Sequence, residues 1–180
     1  MDKFFKIDIK GYQLDLPILA LPNGINVAFF NLHGDANLTE HCGKELAKLA
    51  DGCDVIITAE SKGLQLAHVI ARELNKSDYA VARKSKKIYM DGGVEVSYGS
   101  SIITGSEPAK LYLSKRDADL LKGKKVGIVD DVISTGESVK GLEALVEKAG
   151  GIVYKKLFVL AEGDSSKRDD VIYLAPLPLL

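Results

Sequence analysis

Unbroken apolar runs and amphipathic stretches alternate through the middle of the chain. Residues 54–59, apart from Asp54 and Thr58, and residues 126–129 are apolar without alternation, which is typical of strands buried on both faces of a parallel sheet. Each run is followed by a short polar loop, and then by apolar residues at helical spacing within 64–74 and 139–149. Repeated units of strand, loop and helix predict an α/β fold, in which a central parallel sheet carries helices on both faces.

The N-terminal part has a two-residue period instead. Apolar and polar positions alternate in 5–9 and again in 12–16, on either side of Lys10-Gly11, which predicts a hairpin that Pro17 ends. Further elements are predicted as strands at 26–30, 79–82, 111–113, 153–160 and 171–174, and as helices that begin at Asn37 and Ser114.

A chain of 180 residues, of which 46% are hydrophobic, is long enough for one domain with its own core, so we expect 1–180 to form a single domain. The formal net charge of -1 and the sequence pI near 6.3 leave no basic footprint, and neither a nucleic-acid nor a membrane partner is expected. Cys42 and Cys53 are too few for a disulfide framework, and no leader or membrane-length apolar run is present. A cytoplasmic location is therefore expected.

The run at 126–129 leads directly into Asp130 and Asp131, here called the acid pair, and then into small polar residues before the next helix. A loop of this kind at a helix N-terminus offers unpaired backbone N–H groups to a phosphate. Two adjacent carboxylates would repel a bare phosphate, but they accept hydrogen bonds from neighbouring sugar hydroxyls, and a divalent cation would ease their charge. The segment therefore favours a sugar phosphate, with a phosphate site at Ser134, Thr135, Gly136, Glu137 and Ser138.

The segment 126–138 resembles the ribose-phosphate signature of type I phosphoribosyltransferases, in which a hydrophobic strand leads to two acids and a Thr-Gly loop. The resemblance implies the fold of that family, with a small N-terminal hood at 1–36. It also implies transfer of ribose 5-phosphate from phosphoribosyl pyrophosphate to a nitrogenous base, with Asp130 and Asp131 as catalytic residues that hold the ribose hydroxyls. Mg²⁺ is expected as a cofactor that arrives with the pyrophosphate, without a metal site of the protein's own.

The loop after the strand at 54–59 reads Glu60-Ser61-Lys62-Gly63. It resembles the acid-Ser-Arg-Gly loop of the adenine-specific members of the family, with Lys in place of Arg. In the family this loop binds pyrophosphate and often holds a non-proline cis peptide, and a basic pair after the next strand neutralises the same group. The residues expected to bind phosphoribosyl pyrophosphate, besides those of the 134–138 loop, are Ser61, Lys62, Gly63, Arg83, Lys84 and Lys87.

Between 88 and 108 neither period holds, and we interpret this glycine-rich stretch as a flexible lid loop. Family members close such a loop over their substrates. Tyr98 either packs over the sugar or is an ordinary strand residue. The family buries its base under the hood, and the candidate base contacts are Phe30, at the end of its strand, and His33, in the polar loop that follows.

Together these expectations favour a homodimeric adenine phosphoribosyltransferase that uses a purine base and phosphoribosyl pyrophosphate, and that releases AMP and pyrophosphate. Specificity for xanthine, hypoxanthine or a pyrimidine on the same scaffold stays open. A non-catalytic relative that senses phosphoribosyl pyrophosphate also stays open. A regulatory version of that relative would need a DNA-binding module, and the sequence has neither a helix-turn-helix extension nor a basic face.

Overall fold

The structure, a computed structural model, describes residues 3–21, 24–99 and 108–180. Within these ranges short 3₁₀-helices occur at Ile88–Met90 and Gly163–Lys167. The α-helices are α1 (Ala36–Leu49), α2 (Leu64–Glu73), α3 (Lys115–Leu121) and α4 (Glu137–Lys148). The strands are β1 (Phe4–Ile9), β2 (Tyr12–Ala20), β3 (Asn26–Ala28), β4 (Val55–Ala59), β5 (Ala80–Ala82), β6 (Val94–Tyr98), β7 (Ala109–Leu113), β8 (Lys125–Ile133), β9 (Ile152–Glu162) and β10 (Ile172–Leu177).

The central sheet has the strand order β10-β9-β8-β4-β5, and every neighbouring pair in it is parallel. β4 lies inside the sheet because it is apolar on both faces. Val55 and Ile57 belong to the core on one face, whereas Ile56 belongs to the core on the other. This arrangement confirms the predicted α/β fold with a central parallel sheet.

Each face of the sheet is covered by its own helices. On one face, Leu46 of α1 and Ile70 of α2 pack in one core with residues of the N-terminal strands. On the other face, Leu121 of α3 and Leu142 of α4 pack with the strands β6 and β7. Helices therefore flank the sheet as predicted, and none of the described helices is long and apolar enough to cross a membrane.

The predicted N-terminal hairpin is present as β1 and β2, but Pro17 does not end it. β2 continues to Ala20 and pairs with β3. Pro17 lies one position beyond Ile18–Ala28, the pair at this end of the β2–β3 ladder, and its carbonyl accepts from the Phe29 N–H at 2.9 Å. A proline is tolerated at this position because the β2–β3 ladder ends there, so its missing N–H costs one hydrogen bond at the end of the ladder and none inside it.

Two other predicted boundaries were wrong. Asp35, and not Asn37, caps α1, and its carboxylate accepts from the Leu38 N–H at 3.0 Å. The strand β8 does not stop before the acid pair but continues to Ile133, because β9 pairs with it along this length. The acid pair therefore lies in a strand, where neighbouring side chains point in different directions.

The stretch 88–108, predicted as a lid loop, is regular in part. Its strand β6 is antiparallel to β7, with Tyr98 opposite Ala109. The ring of Tyr98 lies against α4, where a Cβ on Gly141 would come within 2.7 Å of it. That contact is the packing of a strand residue on a helix, one of the two roles considered for Tyr98. Residues 100–107 lie outside the described residues, and the lid stays a prediction.

We expect Gly43→Ala to destabilise the protein, although alanine favours a helix over glycine by about 1 kcal/mol. A Cβ at Gly43 would lie 2.5 Å from Cγ1 of Val69, at the contact between α1 and α2. Overpacking of a core costs about 1–3 kcal/mol, so the free energy of unfolding in urea should fall by roughly 1 kcal/mol. Lys44→Ala, on the same helix and more than half exposed in its side chain, is the control. A more stable Gly43→Ala protein would contradict the close packing of the two helices.

Candidate active site

Three loops meet at the carboxyl edge of the central sheet. They follow the neighbouring strands β8, β4 and β5, and parallel strands end at the same edge, where ligands bind in open α/β sheets. We call residues 83–87 the basic loop and residues 134–138 the phosphate loop. The Nζ of Lys62, in the loop after β4, lies 3.7 Å from Oδ2 of Asp131 in β8. The structure thus brings the acid pair next to a cation from another loop.

One oxygen of the acid pair is buried without a hydrogen bond. Asp131 is 5% exposed, and its backbone N–H donates to Oδ1 of Asp130 at 2.9 Å. Oδ2 of Asp131 accepts no hydrogen bond from any described residue, and Lys62 is at ion-pair distance only. A buried carboxylate oxygen without a donor is costly. This atom therefore marks a place where a hydroxyl donor or a cation would be stabilised.

The surroundings of Asp130 oppose its ionisation. Burial, followed by the charge of Asp131, raises the pKa of Asp130 to about 7. The ammonium group of Lys84, in the basic loop, acts in the opposite direction but more weakly. Near neutral pH the acid pair therefore lacks its full negative charge, and hydroxyl donors or a cation would restore it.

The loop after β4 approaches the acid pair closely because it contains Gly63. A Cβ there would lie 2.0 Å from Oγ1 of Thr58 and 3.2 Å from Oδ1 of Asp130, so a larger residue does not fit. The peptide between Glu60 and Ser61 is cis, the feature that the family resemblance implied for this loop. Ser61 is exposed at the sheet edge.

Glu60, the acid of the loop after β4 to which the sequence analysis assigned no role, organises the basic loop. Its Oε1 accepts from the Lys84 N–H at 2.7 Å, and its Oε2 lies 2.5 Å from Nε of Arg83. Arg83 also donates from Nη1 to the Tyr89 hydroxyl at 3.2 Å. The Arg83 side chain is thus engaged by the protein, whereas Lys84 is exposed and Lys87 is half-buried. The position of an acid at the end of a buried strand is the signal that could have drawn attention to Glu60. Its contact with Lys84 was not predictable, because Lys84 lies 24 residues further along the chain.

The phosphate loop ends at the start of α4. Gly136 is the N-cap of this helix with a φ of 82°, a left-handed conformation that glycine adopts without strain. Ser134, Thr135 and Ser138 are exposed, and the Glu137 N–H lies 3.5 Å from Oγ1 of Thr135. Hydroxyl groups and the N–H groups of a helix N-terminus thus occur together, as an anion site requires.

The two predicted base contacts differ in their accessibility. Phe30 is 4% exposed and belongs to the core, and the exposed ring of the pair is that of Phe29, at 43%. The burial therefore gives no support to a base contact by Phe30. His33 is exposed, in a loop tied to the start of α2 by the Gln65 amide, which donates to the Leu32 carbonyl at 2.9 Å. A base contact by His33 stays a prediction.

A cavity of about 440 Å³ adjoins the phosphate loop. Ser134 and Thr135 line one side of it, and residues 162–165, Arg168 and Leu179 line the other. A larger cavity of about 580 Å³ lies between the starts of α1 and α2 and is open to solvent. The acid pair lines neither of them, and the smaller one shares residues with the predicted phosphate site.

Comparison with known proteins identifies the family. Residues 34–173 match the family model for the phosphoribosyl transferase domain. The adenine phosphoribosyltransferase of Mesomycoplasma hyopneumoniae is 32% identical over 120 residues, which are 64% of this chain and 63%, less than two thirds, of that protein. The xanthine phosphoribosyltransferase of Exiguobacterium sp. is 35% identical over 74% of this chain and 71% of its own. The adenine phosphoribosyltransferase of Methanococcus maripaludis is 31% identical over 75% of each. The chain belongs to the phosphoribosyltransferase family.

Solved structures share the fold over nearly the whole chain. Adenine phosphoribosyltransferase from Thermoanaerobacter pseudethanolicus has a TM-score of 0.66 and 23% identity, covering 97% of this chain and 95% of that one. The enzyme from Giardia lamblia, solved with 9-deazaadenine, has a TM-score of 0.64 and 16% identity, covering 96% and 93%. At sequence identities of 23% and 16%, these similarities show a shared fold.

Asp130→Asn should stabilise the protein, and more so at high pH. The pKa of Asp130 rises on folding from 3.8 to about 7, so the folded protein loses stability as the pH rises through this window. The asparagine variant escapes that loss. Its melting temperature should exceed that of the wild type by at least about 3 °C near pH 8, and by much less near pH 4. Asp119→Asn, at a carboxylate 62% exposed on α3, is the control. A shift of equal size at both pH values would contradict the raised pKa.

Proposed function

We propose that the protein is a purine salvage enzyme that transfers ribose 5-phosphate from phosphoribosyl pyrophosphate to adenine, giving AMP and pyrophosphate. The observation that carries the proposal is the buried, unsatisfied Oδ2 of Asp131, next to the point where the phosphate loop and two cation-bearing loops meet. A ligand with hydroxyl groups between two phosphate ends suits such a site. The names of the relatives from M. hyopneumoniae and M. maripaludis favour adenine as the base.

In this proposal the acid pair and the phosphate loop hold the sugar at two points. Asp130 and Asp131 accept hydrogen bonds from the ribose hydroxyls, and the 5-phosphate accepts from the backbone and hydroxyl groups of residues 134–138. Holding the sugar in this way fixes its reacting carbon against the base, which removes much of the entropic barrier. The carboxylates also favour the positive charge that develops on the ribose ring as the bond to pyrophosphate breaks.

The pyrophosphate end of the substrate is assigned to the loops after β4 and β5. Lys62 and Lys84 are exposed, and the backbone at Ser61 and Gly63 flanks Lys62 in its loop. Lys87 is the third candidate cation. Because Arg83 is held by Glu60, its role in the proposal is to position the backbone of the basic loop as well as to add positive charge.

Mg²⁺ completes the proposal as an ion bound mainly through phosphoribosyl pyrophosphate, where it would neutralise charge on the leaving group. Among the described residues no group of three or more His, Cys, Asp or Glu side chains is arranged to hold a metal. The residues fit an ion that the substrate carries, because Oδ2 of Asp131 offers one buried carboxylate oxygen that lacks a donor.

Xanthine is the second candidate base. The relative from Exiguobacterium sp., named a xanthine phosphoribosyltransferase, is 35% identical to this chain. A relative that binds phosphoribosyl pyrophosphate without turnover is the third candidate. Pyrophosphate release by the purified protein, measured with each base separately, distinguishes these cases.

The proposal also includes a homodimer, in the cytoplasm, without a nucleic-acid or membrane partner. Cys42 and Cys53 are buried and unbridged, and burial raises the pKa of the Cys42 thiol to about 12, which suits a packing role in a reducing compartment. Light scattering on the purified protein tests the dimer, and a monomeric mass would contradict it.

With Mg²⁺ and phosphoribosyl pyrophosphate, we expect adenine to give AMP and an equal amount of pyrophosphate. Asp130→Asn combined with Asp131→Asn should lower the rate by at least about a hundredfold, because the ribose hydroxyls lose both carboxylate acceptors. Asp119→Asn, on the exposed side of α3, should keep the wild-type rate.

The same assay with xanthine, hypoxanthine and uracil decides the specificity. Release with xanthine alone would replace adenine in the proposal. Full activity of the double variant would contradict the role of the acid pair.

We expect bound ribose 5-phosphate and magnesium pyrophosphate to slow amide exchange at Tyr98 and Gly99, where the proposed lid meets α4. A Cβ on Gly99 would lie 3.5 Å from Oε2 of Glu137 in the phosphate loop, so closure of 88–108 over the ligand would register at this junction. Exchange is measured with and without ribose 5-phosphate and magnesium pyrophosphate, with the amides of β4 as the control. Equal exchange at 94–99 in both states would mean that this part is a fixed hairpin.

A further inference from the structure

The guanidinium group of Arg168 lies against the phosphate loop. A Cβ built on Gly136 would be 2.6 Å from Nη1 of Arg168, closer than real contacts of this kind come. Gly136 is buried, although the residues before it in the loop are exposed. Arg168 comes from the segment that connects β9 to β10 and lines the cavity of about 440 Å³ beside this loop. Arginine thus occupies the space that a side chain at position 136 would fill.

Asp170 holds the guanidinium in a fixed orientation. Nε of Arg168 donates to Oδ1 of Asp170 at 2.8 Å, and Nη2 donates to Oδ2 at 2.7 Å. This two-point contact fixes the plane of the group. Lys156 pairs with Asp170 as well and also with Glu143 of α4, so the whole arrangement is anchored on the helix that the phosphate loop begins. The third nitrogen, Nη1, is the one that faces Gly136.

Asp170 stabilises the charge of Arg168 and raises the pKa of its guanidinium, but the helix terminus beside the group disfavours a cation. The N-terminus of α4 carries the positive end of the helix dipole, and cations are stabilised at the opposite end of a helix. Arginine has donors and no acceptor, and the backbone N–H groups at the start of a helix are donors as well. Two sets of donors therefore adjoin one another, and the group that satisfies both is an anion with several acceptor oxygens.

We propose that Arg168 is a binding residue for the 5-phosphate of phosphoribosyl pyrophosphate, and that Asp170 positions it. The proposal rests on the proposed function, since it names a further ligand of the same sugar phosphate. It gives Gly136 a second role, because position 136 must leave room for the guanidinium group as well as adopt a positive φ. It also explains why a basic side chain lies beside a loop whose own residues carry hydroxyl groups and no positive charge.

Calorimetry with two probes tests the proposal. Ribose 5-phosphate occupies the sugar and 5-phosphate half of the site, and magnesium pyrophosphate occupies the other half. We expect Arg168→Met to bind ribose 5-phosphate at least about tenfold more weakly than the wild type, and to bind magnesium pyrophosphate unchanged. The affinity of Arg168→Lys for ribose 5-phosphate should lie between those of the wild type and Arg168→Met, because lysine keeps the charge but cannot form two parallel hydrogen bonds. Arg72→Met, which removes an exposed arginine paired with Glu40, is the matched control and should change neither affinity.

The outcomes separate the proposal from its premise. If the wild type binds ribose 5-phosphate and Arg168→Met binds it equally well, Arg168 has no role in binding, while the proposed function stands. If Arg168→Met loses both probes to the same extent, or only its melting temperature changes, Arg168 is a structural residue and the proposal is overturned. Should the Met variant not fold, wild-type affinity in Arg168→Lys overturns the proposal as well. A wild type that binds neither probe overturns both the proposed function and the role of Arg168.

Discussion

The rest of the site depends on two adjacent carboxylates, which the central strand β8 holds near the carboxyl edge of the sheet. Removing a carboxylate from water is costly unless donors or cations replace the water. Within the described part of the chain the protein leaves this need unmet, since the pKa of Asp130 is raised to about 7 and Oδ2 of Asp131 lacks a donor. Lys62, at 3.7 Å, is too far away for a hydrogen bond. The site is therefore suited to a ligand that supplies hydroxyl groups and a cation.

The order of strands in the sheet sets the order of the three loops along its carboxyl edge. β8 brings the acid pair and the phosphate loop, β4 brings Lys62, and β5 brings the basic loop. Neighbouring strands lie about 4.8 Å apart, so loops two strands apart are separated by roughly 10 Å, a length on the scale of a pentose with a phosphate at each end. Glycine at 136, after β8, makes room for a guanidinium group, and glycine at 63, after β4, lets the backbone come close to the acid pair.

The sequence predicted the parts of the molecule that depend on local pattern. The unbroken apolar runs identified β4 and β8, and the loop composition after each run identified the edge of the sheet at which Lys62 and the acid pair come together. Predictions failed where a partner in the fold decides the outcome. β8 runs on through the acid pair because β9 extends alongside it. Which of the adjacent phenylalanines 29 and 30 is buried also depends on the fold, and the burial of Phe30 leaves its base contact without support. The roles of Glu60 and Arg168 escaped prediction because each acts on residues 23 or more positions away along the chain.

A crystal structure with ribose 5-phosphate and magnesium pyrophosphate bound tests most directly whether the acid pair and the phosphate loop bind a sugar phosphate. We expect the 5-phosphate within hydrogen-bond distance of the backbone N–H groups of residues 134–138, the ribose hydroxyls on the carboxylates of Asp130 and Asp131, and the pyrophosphate between Lys62 and Lys84. A sugar phosphate bound in the cavity between α1 and α2, or one whose hydroxyl groups do not reach the acid pair, would contradict this expectation.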